Sequence, residues 1–274
     1  MYKISLICGL CLAILSGGCE TNPITGEQQF VGFSALGLAP GTEEQKKIGS
    51  EYAPEIRKQL GGPIQDQQLQ SYISQVGQKI ATATGSKDFE FKFEALNDPM
   101  VNAFALPGGY VFITKGMLKQ LKNEAQLAAI LAHESAHVTQ QHSAKQMGNQ
   151  IGMGLILSTV SVAAGEKGQM VTQVAQIGSQ LITLKYSRTD ETEADSVGLD
   201  FMVKAGYSPK GMLQVMQILE SEGGSGGISF LSTHPSPENR LQDIQKWINQ
   251  RYPLVAAKDL GPAPYQTNVL SRLK

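Results

Sequence analysis

Apolar residues recur at helical spacing along two early stretches of the chain. Ile48, Tyr52, Ile56 and Leu60 repeat every four residues until Gly61-Gly62-Pro63 stops the pattern. Leu69, Ile73, Val76 and Ile80 mark a second amphipathic helix. The period then changes to two: Phe89, Phe91 and Phe93 alternate with Glu90 and Lys92, as in a half-buried strand. Pro107-Gly108-Gly109 predicts a turn, Tyr110 to Thr114 a second strand, and Asn102 to Leu106 an edge strand between them. Leu118 to Met147 contains no Gly or Pro and is rich in Ala, Leu, Gln and Lys, which predicts a strong helix.

Ile151 to Ala164 carries no charge and is too short to cross a bilayer. Val174, Ile177, Leu181 and Leu184 follow at helical spacing. The pair predicts a helical hairpin, read as a cover over a site, as two plain core helices, or as a lid against a membrane. Gly223-Gly224-Ser225-Gly226-Gly227 predicts a flexible stretch. Ser236-Pro237-Glu238 has the form of a helix start, continued by Leu241, Ile244 and Ile248. From Pro253 the tail shows no clear period, and there is no internal repeat.

Charge narrows the partners. A net charge of -1 over 274 residues argues against nucleic acid, whose phosphates need a basic surface. The first residues form a targeting segment: Lys3, then an apolar run from Ile4 to Leu15, then Ser16-Gly17-Gly18 before Cys19. Small residues before a cysteine resemble the lipobox of bacterial lipoproteins, where the cysteine is lipidated, so Cys19 is the expected lipidation site. Glu20 after it leans, by the same resemblance, towards the outer membrane. Cys8 and Cys11 lie inside the targeting segment, so residues beyond Cys19 have no internal disulfide and no thiolate ligand. The expected order is a signal peptide over 1–18, a tether and N-terminal arm over 19–41, one domain over 42–252 and a tail over 253–274.

The candidate chemistry converges on one ion. His133-Glu134-Ser135-Ala136-His137 is an H-E-x-x-H motif inside the predicted helix. Its histidines sit one turn apart on one face, so both imidazoles reach one cation, and Glu134 beside them can take a proton from water activated there. Glu191 and Asp195, four apart, share a face of a further helical stretch. Glu191 is the expected third ligand, and Asp195 the acceptor for the free ring N–H of a ligand histidine. Glu193 points about 200° away and is expected to be solvated. A metzincin site is excluded, because it needs Gly at Gln140 and His at Ser143; His142 is read as structural or as a support to the ligands. His234 is an extra. It is an oxyanion donor, a fourth ligand that holds an enzyme off, or a loop histidine with a packing role. Arg240 is near enough in sequence to join it, or to serve in a salt bridge.

Together these residues resemble peptidase family M48. The resemblance runs from Thr21-Asn22-Pro23-Ile24-Thr25-Gly26 through Asn102-Ala103-Phe104-Ala105-Leu106-Pro107-Gly108-Gly109 and Asn123-Glu124. It continues through H-E-x-x-H and Ser187-Arg188-x-x-Glu191-x-x-Ala194-Asp195 to His234-Pro235. It implies an α+β fold, a mostly helical gluzincin-like metallopeptidase with a small β-sheet beside the active-site helix. It also implies one zinc ion on His133, His137 and Glu191, with Glu134 as general base and His234 in the catalytic region. The implied role is an endopeptidase that degrades misfolded or stalled envelope proteins in the periplasm. It would be lipid-anchored to the inner leaflet of the outer membrane, with the outer-membrane assembly machinery as a possible partner. The alternative is a chaperone-like lipoprotein with little or latent proteolysis.

Overall fold

The computed structural model describes residues 19–22, 26, 28–30, 37–163, 185–223, 230–235, 239–253 and 263–273. The expected signal peptide over 1–18, Val174 to Leu184, Gly224 to Gly227 and Ser236 to Glu238 lie outside them.

The N-terminal arm is a short antiparallel pair, β1 (Cys19–Thr21) and β2 (Gln28–Phe30). Two helices follow, α1 (Thr42–Gln59) and α2 (Gln67–Thr84). Asp66 caps α2 by accepting a hydrogen bond from the Leu69 amide, and Gly85 ends it in the left-handed region at φ 67. Strands β3 (Lys92–Leu96), β4 (Ala103–Leu106) and β5 (Tyr110–Thr114) form a sheet in the order β3-β5-β4. β3 runs parallel to β5 and β4 antiparallel to it. The β4–β5 turn needs its glycines: Gly108 has φ +86, and a Cβ there would stand 2.6 Å from the Lys46 backbone.

The sheet corrects one expectation. Phe89 and Phe91 are buried, yet the ladder begins only at Lys92. Lys92 pairs with Tyr110, the first residue of β5, and the residues before it lie against the Pro107-Gly108-Gly109 turn, where Gly109 accepts from the Lys92 amide at 2.9 Å.

The long helix predicted over 118–147 is three helices: α3 (Lys115–Gln120), α4 (Glu124–Thr139) and α5 (His142–Ala163). Side chains break it where no Gly or Pro does. Asn123 accepts from the Gln126 amide at 2.9 Å, and Gln126 Oε1 accepts from the Lys122 amide at 2.7 Å, a reciprocal cap. At the other end Gln141 takes φ 57, a left-handed value that turns the chain sharply.

α4 is the centre of the molecule. It packs against α2, β4, α6 (Arg188–Lys204) and α7 (Lys210–Gly223), and every residue from Glu124 to Val138 is buried. α6 starts at a capping box between Ser187 and Asp190. Gly198 lets α6 lie close to α4, since a Cβ there would come within 3.2 Å of the His133 amide nitrogen. The short α8 (Phe230–Thr233) and then α9 (Arg240–Arg251) complete this side.

The tail also departs from expectation. α10 (Ala263–Asn268) leads into a 3-10 turn, Leu270–Arg272. Tyr265 is fully buried and donates its hydroxyl to the Leu118 carbonyl at 2.7 Å. A single aromatic anchor and Val269 join this segment to the main core without needing a long amphipathic period. No helix of the described residues is long and apolar enough to cross a membrane.

Candidate metal centre

Three elements bring the site together. α4 supplies His133, Glu134 and His137, the first turn of α6 supplies Glu191, and the residue after α8 supplies His234. One ligand atom from each of His133, His137, Glu191 and His234 lies within 4.8 Å of the others, and all four residues are buried.

The donor atoms trace a small polyhedron. His133 Nε2 is 3.0 Å from His137 Nε2 and 3.4 Å from His234 Nδ1. Glu191 Oε1 is 2.8 Å from His234 Nδ1 and 3.4 Å from His137 Nε2. A tetrahedral ion with bonds of about 2.0–2.1 Å needs edges of roughly 3.3 Å between its donors. The site therefore fits a small tetrahedral cation. Three further observations agree. Both oxygens of Glu134 and Glu191 Oε2 are buried without a hydrogen-bond partner, a cost that a nearby divalent cation would offset. Glu134, Glu191 and Asp195 bring three buried carboxylates against one permanent cation, Arg240, and a divalent ion balances that set. Imidazole and carboxylate donors suit such an ion.

The surrounding groups fix the ligands. His133 Nδ1 lies 2.9 Å from Asp195 Oδ1, and Arg240 holds Asp195 in turn through Nε at 2.6 Å and Nη2 at 2.8 Å. Arg240 Nη1 also stands 3.1 Å from Glu191 Oε2. Tyr186 stacks on the His137 ring at 3.8 Å, and its hydroxyl meets Ser143 at 2.9 Å. Phe230 stacks on His234 at 4.2 Å.

Electrostatics follow from this packing. Burial works to lower His133, but Glu191 and Asp195 outweigh it and raise the imidazole to about 9. Burial drives His137 well below the ordinary histidine value. Burial pushes Glu134 up, against the pull of His234 and His133. Burial opposes the ionised forms of Glu191 and Asp195 too. There the surrounding charges win: His234, Arg240 and His133 hold Glu191 low, and Arg240 and His133 hold Asp195 low.

Glu193 is not solvated as expected. It is buried because the N-terminal arm and His142 cover its face of α6: Asn22 donates to Glu193 Oε2 at 2.9 Å, and His142 Nε2 lies 3.4 Å from the same oxygen. The turn at Gln141 explains His142. Five residues apart on one helix would put the two side chains about 140° apart, whereas here His142 Nδ1 faces His137 Nδ1 at 2.8 Å. Sequence reasoning gave no role to Tyr186 or Asn22. Each stands within a motif, beside Ser187-Arg188 and inside Thr21-Asn22-Pro23, which was the available signal. The Cys19 side chain is outside the described set.

The model of a family described as peptidase family M48 matches residues 67–248. The mitochondrial metalloendopeptidase OMA1 of Schizosaccharomyces pombe is 30% identical over 86% of this chain and 70% of its own length. The beta-barrel assembly-enhancing protease of Yersinia pestis is 31% identical over 87% of this chain and 51% of its own. That of Escherichia coli K12 is 30% identical over 77% of this chain and 45% of its own. The chain thus spans about half the length of these bacterial relatives.

Proposed function

Because the chain belongs to peptidase family M48 and is a metalloprotease, we propose that it is a zinc-dependent endopeptidase acting on unfolded or misfolded envelope proteins in the periplasm. The observation that carries this reading is the buried donor cluster of His133, His137 and Glu191 with the unpartnered Glu134 carboxylate beside it.

In this reading the three residues hold zinc. Zinc in such a site polarises a carbonyl and brings the pKa of water down to about 7. Glu134 takes the proton of the attacking water and hands it to the leaving amine. Asp195 keeps the His133 Nδ1 proton in place, so that Nε2 presents its lone pair to the ion. β4 pairs with β5 alone among the described strands, but all four of its residues are buried, so an extended substrate strand would add there only once that edge is uncovered. The names of the bacterial relatives, together with Cys19 and Glu20, support a lipid-anchored protein of the outer membrane's inner leaflet with the assembly machinery nearby. The layout carried forward is 1–18 signal, 19–41 arm, 42–252 peptidase and 253–274 tail.

His234 favours a second state of the same enzyme. Its Nδ1 stands among the donors, so it fills the fourth position and closes the site. Closed four-ligand sites are the structural kind, which is the feature that favours a chaperone-like protein with latent proteolysis.

Two measurements test these readings. Zinc-loaded protein is expected to cut unfolded casein, to stop when a chelator removes the metal and to recover when zinc is restored. His234→Ala is expected to raise the basal rate several-fold; a slower variant would make His234 an oxyanion donor instead. Should neither protein cut casein while both retain zinc, the chaperone-like reading replaces the peptidase.

A further inference from the structure

A line of polar contacts leads from the N-terminal arm to a candidate metal ligand. Asn22 is buried, and its backbone carbonyl accepts from the Gly26 amide at 2.8 Å. Its side-chain amide donates to Glu193 Oε2 at 2.9 Å. His142 Nε2 stands 3.4 Å from that same oxygen and 3.7 Å from Asp190 Oδ1. His142 Nδ1 then faces His137 Nδ1 at 2.8 Å.

The donors in this line run one way. Two facing ring nitrogens need one proton between them. A carboxylate accepts only, so neutral His142 keeps its proton on Nε2, donates it in a hydrogen bond to Glu193 and leaves Nδ1 as an acceptor. His137 must then carry its proton on Nδ1, which frees Nε2 for the ion. His133 has its own support in Asp195 and Arg240. Each helical histidine is thus backed by a buried carboxylate, directly for His133 and through a second imidazole for His137. The fourth member of the His137 line comes from outside the helical body, from a segment that begins at Cys19.

We propose that Asn22 is a positioning residue that, through Glu193 and His142, fixes the orientation and tautomer of His137. The seated arm is then part of the metal centre, and the end of the chain that carries the expected lipid anchor reports on the ion. This inference rests on the reading of His137 as a ligand.

The test is zinc affinity of the full chain in detergent, measured by competition with a chromophoric chelator. His142→Phe removes the middle of the line and is expected to weaken zinc binding about 10–100-fold, the usual cost of losing a ligand's hydrogen-bond partner. Asn22→Ala acts one step further out and is expected to weaken it by roughly threefold to tenfold. The double variant should bind zinc as His142→Phe alone does, because the line from Asn22 through Glu193 reaches His137 at His142. A purely structural role for Asn22 would instead make the two losses multiply. Multiplying losses, or wild-type affinity in Asn22→Ala, overturns the proposal. His137→Ala separates the two levels: if it too keeps wild-type affinity, the ligand reading itself fails.

Discussion

Glu134→Gln is expected to lower kcat/KM for unfolded casein by about a thousandfold, within the range that a positioned general base contributes, while zinc content stays at the wild-type level. The carboxylate is fully buried on α4, one residue from His133, and neither oxygen has a hydrogen-bond partner. His234 Nε2, at 3.7 Å from Oε1, is a cationic neighbour only when protonated. Burial raises the Glu134 carboxyl above the ordinary glutamate value, which strengthens it as a base. Glutamine keeps the shape and loses that basicity. The same burial gives the variant a second signature. A carboxyl whose folded pKa is raised destabilises the fold once pH exceeds its unfolded value, because the ionised form is the costly one. Metal-free Glu134→Gln should therefore melt no lower than metal-free wild type at pH 7. Activity within tenfold of wild type would move the base elsewhere. Loss of zinc along with activity would show that the substitution damaged the ligand set.

The two helices before the sheet are legible because their periods are long and glycine follows each. Ile48 to Ile56 and Leu69 to Ile80 lie inside α1 and α2, Leu60 is the C-cap of α1, and Gly61 and Gly85 stand just past the helix ends. The family motifs are short and local, so the sequence alone singles out His133, His137, Glu191 and His234. What escaped was long-range or set by side chains. The breaks at Asn123 and Gln141 carry neither Gly nor Pro, and only an amide cap and one left-handed residue reveal them. That second break places His142 on His137, and no helical wheel could have done so. Glu193 was misjudged for a related reason. A helical wheel shows which way a residue points but not what arrives there, and Asn22 arrives from 171 positions away. Tyr265 is the same problem in the tail, where one aromatic anchor leaves no period to detect.

Arg240→Met should have its largest effect on the metal-free protein, at about 3–5 kcal/mol, the usual cost of leaving a buried charge unpaired. Arg240 is almost fully buried and holds Asp195 through two hydrogen bonds, with Glu191 at 3.1 Å from a third nitrogen. Removing it strands two carboxylates beside the orphaned Glu134. A bound divalent ion still offsets Glu191, so zinc should recover part of the loss; the gap between chelated and loaded protein should widen relative to wild type. Lysine is a poor substitute, because a point charge cannot serve both carboxylates as the guanidinium fork does. The pH dependence fixes the cause. In the wild type the folded pKa of Asp195 lies below its unfolded value, as does that of Glu191. Their contribution is therefore present above the unfolded value, about 4, and fades as pH falls through the folded one. In the variant that stabilisation is gone, so the deficit should be greatest near pH 7 and shrink in acid as both proteins protonate these groups. Urea midpoints of chelated wild type and Arg240→Met at pH 7 and in acid well below the unfolded value of about 4, where the folded wild type also protonates these carboxylates, decide it. A deficit equal at both values would assign Arg240 to packing and not to the charge balance of the metal centre.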